Sequence, residues 1–168
     1  MSTSHLTVDD TGGAELLASA GGTVYIPQYR LGAWVNLGSD PVMQWAIIDT
    51  GAPACVLPHR FWTPLAARGD ITWVTGFPAR FAASGRVAET TLAGSRYRYR
   101  LGRVRLVFSY GMLAPRDVVV LCTDDPPAAL PNLRPPLLVG LADVMHGRTL
   151  QLEASADGRQ WAATLTEP

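Results

Sequence analysis

Thirteen prolines and sixteen glycines in a chain of 168 residues limit this fold more than any other feature. Proline breaks the hydrogen-bond ladder of a helix interior and glycine weakens it, so long helices have no room. Between these breakers the apolar residues fall in short runs, several of them alternating with polar residues at the two-residue period of a strand. Thr23 to Ile26, Gly32 to Leu37, Val42 to Ile48, Ile71 to Val74, Ala79 to Ala83, Arg96 to Tyr110 and Asp117 to Cys122 read as strands. Thr149 to Glu153 and Gln160 to Leu165 read as a closing hairpin turned by Asp157-Gly158. Pro58 to Arg68, with Gly69 just beyond, reads as a short helix, and Leu141 to His146 as one or two further turns. Thr123 to Pro136 holds five prolines and reads as a loop. The expectation is a mainly β single domain of barrel type with one or two short helices. Residues 1–20 read as a polar lead-in and residues 21–168 as the domain.

Hydrophobic residues make up 48% of the chain and charged residues 17%, enough apolar surface for one core. Acidic and basic residues balance to a net charge of zero, which argues against nucleic acid or an anionic membrane as partner. No run of eighteen apolar residues occurs, so no membrane-spanning helix is expected. Residues 1–22 carry Asp9, Asp10 and Glu15 and do not resemble a signal peptide, so a cytoplasmic protein is the expectation. Cys55 and Cys122 have no disulfide-framework or metal-ligand spacing, and His5 and His146 have no partners at metal spacing. No metal and no organic cofactor are expected; no glycine-rich phosphate loop is present.

The segment richest in chemistry is Trp45-Ala46-Ile47-Ile48-Asp49-Thr50-Gly51-Ala52. An apolar strand stops abruptly in Asp-Thr-Gly, which sets a carboxylate at the end of a buried strand. Gly51 permits a tight turn, and the Thr50 hydroxyl can donate or accept a hydrogen bond within it. Asp, Thr and Gly are also ordinary turn residues, so the spacing alone fits a plain strand end.

Two hydrophobic residues followed by Asp-Thr-Gly-Ala resemble the catalytic motif of the retropepsin-like family of aspartic proteases. Cys55-Val56-Leu57-Pro58 is similar to the short strand that leads into that family's helix. Leu137-Leu138-Val139-Gly140-Leu141-Ala142-Asp143-Val144-Met145 resembles the family's second element, and Thr149-Leu150-Gln151-Leu152 the strand after it. The likeness spans about Ala33 to Leu152. It implies a single-domain acid-protease barrel in which Gly140 passes beside the Asp-Thr-Gly loop. It also implies an endopeptidase with Asp49 as acid and base, Thr50 and Gly51 shaping the loop, and Ala52, Ala93, Gly94 and Gly140 around the substrate. Two carboxylates about 3 Å apart share one proton, so that one can activate water while the other polarises the scissile carbonyl. This chain holds a single Asp-Thr-Gly, so the resemblance implies a homodimer with one Asp49 from each copy acting on a peptide or protein substrate. A flap is implied between Phe77 and Tyr97, with turns at Ser84-Gly85 or Ala93-Gly94-Ser95, the second preferred. Pro53 and Leu141 stand where many viral relatives carry a paired Asp and Arg, which removes both ends of that ion pair together. The closing hairpin is implied as a contributor to a dimer sheet.

A non-catalytic dimeric module that binds extended peptide is the alternative from another class. Arg96, Arg98, Arg100, Arg103 and Arg105 alternate with apolar residues and read as a solvated strand face, with a bulge or bend at Leu101-Gly102. Cys55 and His59 could form a nucleophile pair, but no third orienting residue is evident. The five tryptophans read as core or interface residues.

Overall fold

A computed structural model describes residues 2–17, 21–74, 89–92, 95–109, 113–124, 135–140, 144–156 and 160–168. The described residues are mainly β with one short helix, and their strands form one sheet. The strands are β1 (Ser2–Leu17), β2 (Thr23–Leu37), β3 (Gln44–Asp49), β4 (Cys55–Pro58), β5 (Thr72–Trp73), β6 (Glu89–Leu92), β7 (Ser95–Phe108), β8 (Arg116–Thr123), β9 (Leu138–Gly140), β10 (Thr149–Ala154) and β11 (Trp161–Glu167). The helix α1 (His59–Ala67) follows β4 directly.

The strand order is β10-β11-β1-β2-β3-β9-β4-β8-β7-β5, with β6 paired to β7. A further pairing of Val35 to Leu37 in β2 with Leu106 to Phe108 in β7 closes β2, β3, β9, β4, β8 and β7 into a ring. The remaining strands run off this ring, so the architecture is not a clean barrel. Inside the ring the apolar alternation of each strand meets that of its neighbours. Val35, Ala46, Leu57, Val118, Val120 and Val139 are wholly buried there. α1 is tied to β8 by Trp62, whose Nε1 donates to the Thr123 carbonyl at 2.8 Å.

Three expectations need correction. The polar lead-in is β1, paired with β11 from Ser2↔Glu167 to Leu6↔Ala163 and with β2 from Thr7↔Gly32 onward. Its alternation is short, but Ser4 and Leu6 are buried because β11 and β2 supply the partners that the local sequence does not announce. The runs Thr23 to Ile26 and Gly32 to Leu37 belong to one strand, β2. Pro27, which lacks an N–H, lies opposite Gly13 at the register shift between Asp10 and Gly13, where the ladder tolerates it. No bulge occurs at Leu101-Gly102: β7 pairs with β8 in unbroken register from Tyr99↔Thr123 to Leu106↔Arg116. What changes at that point is the cover on each face. Gly102 packs under β5, where a Cβ would come within 2.7 Å of Ile71 Cγ2, and beyond it Arg100 leaves the core and stacks 3.8 Å over the Trp73 ring.

Candidate active site

Asp49 is the last residue of β3, a strand held on both sides. β2 pairs with it antiparallel up to Leu31↔Ile48, and β9 pairs with it parallel through Ile47↔Leu138, Ile48↔Val139 and Asp49↔Gly140. β9 lies between β3 and β4, filling the gap that the turn at residues 50–54 leaves between its two flanking strands. The carboxylate is thereby fixed at the rim of the sheet, half-buried and facing open space.

The turn is held by Asp49 itself. Its Oδ1 accepts a hydrogen bond from the Gly51 N–H at 2.9 Å, and its carbonyl accepts one from the Ala52 N–H at 3.3 Å. Oδ2 has no hydrogen-bond partner among the described residues. Thr50 and Gly51 are exposed, so the turn presents its tip outward.

The two glycines differ in what they provide. Gly51 does not take a left-handed backbone conformation, and a Cβ there would meet only Asp49 Oδ1, at an ordinary 3.5 Å. Gly140 is buried against the turn: a Cβ would lie 2.4 Å from the Ala54 carbonyl oxygen and 2.8 Å from that of Ala52. The close approach that the sequence suggests for Asp-Thr-Gly is therefore enforced by Gly140. Ala52 is half-buried in the turn above it.

A cleft of about 590 Å³ opens beside Asp49 and Thr50. Its walls come from β1, β2, β3, β10 and β11, and sequence reasoning assigned none of the β1, β2, β10 or β11 residues to the site. Tyr29 and Trp161 pair there at 5.5 Å between ring centroids, 37% and 39% exposed, and Leu152 beside them is 50% exposed. Arg30 supplies the positive charge. One signal could have found Arg30: counting outward from the turn at Gly38-Ser39-Asp40 along the β2–β3 hairpin brings it level with Asp49.

Ala93 and Gly94 lie outside the described residues, as do Ser84-Gly85 and residues 141–143. The strands flanking Ala93-Gly94 are described: β6 and β7 pair antiparallel from Glu89↔Arg98 to Leu92↔Ser95. The bonding of β11 to both β10 and β1 of its own chain occupies its two edges along Ala163 to Thr166. Cys55 and Cys122 are both buried, and burial pushes the Cys122 thiol up to about 12, which leaves it inert as a nucleophile. Among the described residues no three His, Cys, Asp or Glu side chains gather as a metal site.

No protein-family model matches the chain, and no curated protein matches it in sequence.

Proposed function

We propose that the protein is a retropepsin-like aspartic endopeptidase that acts as a homodimer. The observation that carries this reading is Asp49 at the end of a doubly flanked strand, level with Gly140 of a parallel strand brought from far downstream. The arrangement agrees with the resemblance in residue type, chain order and close packing. Among the described residues Oδ2 of that carboxylate is unbonded, and a cleft with aromatic and aliphatic walls opens beside it, as a peptide site would need.

One chain supplies one carboxylate, and the mechanism needs two. In the dimer the Asp49 pair would hold a single proton and a single water between them. The ionised carboxylate takes a proton from the water as its oxygen attacks the scissile carbonyl. The protonated partner donates a hydrogen bond to the developing oxyanion. The resulting diol collapses as the amide nitrogen gains a proton and departs. Thr50, exposed at the turn tip, would bond across the two-fold axis. The β6–β7 hairpin is the candidate flap, excluding water when it closes.

The test is cleavage of a peptide library at pH values from about 3 to about 7, a span that begins in the acid range where a carboxylate pair holds one proton. Wild type is run beside Asp49→Asn, with oligomeric state measured in the same buffers. Cleavage that disappears with Asp49→Asn and rises with the dimer fraction is the expected result. A confirmed dimer that binds peptides without cutting them would favour the binding module instead.

A further inference from the structure

The geometry points to Arg30 as a specificity-determining residue, one that holds an acidic side chain of the peptide lying in the Asp49 cleft. This inference rests on the cleft being a peptide site. Arg30 precedes Leu31, whose partner across the hairpin is Ile48, so it stands beside the end of β3 where Asp49 begins the turn. Arg30 is exposed and lines the same cleft as Asp49 and Thr50.

Some of this protein's arginines hold an anion within the fold and others do not. Elsewhere in this molecule Arg68 binds Asp40 and Asp70, and Arg116 and Arg148 bind Glu167. Arg30 makes no ion pair among the described residues, even though Asp9 is its cross-strand neighbour on β1. Asp49 is the only carboxylate among the described lining residues. A planar cation with unused donors beside an apolar aromatic wall fits one class of ligand. That ligand is an extended peptide with a large apolar side chain for Tyr29 and Trp161, and a Glu or Asp a short step along the chain for Arg30.

The experiment uses octapeptides with a central Phe-Leu pair and Glu, Gln or Lys at each flanking position in turn. Cleavage by wild type, Arg30→Gln and Arg30→Glu is compared, and binding is measured with Asp49→Asn and with Asp49→Asn/Arg30→Gln. Wild type is expected to favour Glu over Gln at one position by about tenfold in kcat/KM, the ratio falling to about one in Arg30→Gln. Arg30→Glu should reverse it in favour of Lys at that position. The same Glu preference should appear in binding to Asp49→Asn and vanish in the double variant. A Glu-to-Gln ratio unchanged by Arg30→Gln overturns the inference, as does a uniform loss on every peptide accompanied by dissociation, which would make Arg30 an interface residue. Arg30-dependent Glu binding with no cleavage by wild type would sustain the inference and sink the protease reading. Cleavage with no Glu preference would do the reverse, and peptides neither bound nor cut would overturn both.

Discussion

Gly140 and Gly51 separate two demands that a motif merges. Gly140 is required by packing within one chain, because Ala52 and Ala54 carbonyls occupy the place of a Cβ. Gly140→Ala is expected to cost about 1–3 kcal/mol in chemical denaturation, as for other overpacked cores, and to abolish cleavage by lifting the Asp49 turn. Gly51 has room for a methyl group in the single chain. Gly51→Ala should stay within about 0.5 kcal/mol of wild type by the same measurement, as exposed substitutions usually do. If it also loses cleavage or dimerisation, its glycine answers to the second copy and the substrate. The place of Asp49 at a strand end and of Gly140 at the end of the strand beside it was legible, because an apolar run that stops and a glycine that ends a run are local marks. Tyr29, Arg30, Leu152 and Trp161 leave none, since they reach the cleft only through strand register.

At the scale of elements, β1 and β11 carry more than their sequences suggest. Their pairing buries Leu6, Ala163 and Leu165, and Glu167 near the end of β11 accepts hydrogen bonds from the Ala114 N–H at 2.9 Å and Arg116 Nη2 at 2.8 Å. It also faces the side chain of Arg148, wholly buried, at 3.3 Å. Deleting residues 1–17 should therefore remove the cooperative thermal transition, whereas loss of a mere lead-in would leave it unchanged. Leu165→Ala should cost about 2–5 kcal/mol in denaturant titration, the range for a buried leucine that leaves a cavity. The Ala114 N–H and the two arginines hold Glu167 down to about 2, below the ordinary carboxyl value of 4.5. A carboxyl lowered by folding adds stability that is complete above the unfolded value and is lost as pH falls from 4.5 towards 2. Glu167→Gln should thus lower the melting temperature at neutral pH and flatten its decline over that acid window. The helix and most strands were legible from turn residues and alternation. β1 was not, because its burial depends on β11, the far end of the chain.

At the scale of the whole molecule, a ring of strands carries one carboxylate at its rim, and the proposed hydrolysis needs two. The sheet leaves Thr50, Gly51, Tyr29, Leu152 and Trp161 exposed on one side, where a second copy or a peptide would cover them. The two-fold axis that the proposed mechanism calls for leaves no mark of its own in the sequence of one chain; it is implied by the single Asp-Thr-Gly. The most direct measurement is subunit mixing. Wild type and Asp49→Asn chains are combined at fixed total concentration, allowed to exchange, and assayed on one cleaved peptide. A site shared between chains predicts activity falling as the square of the wild-type fraction, to about one quarter in an equal mixture. Activity that falls only in proportion, to about one half, would mean that each chain carries a complete site of its own and would contradict the shared pair of Asp49 carboxylates.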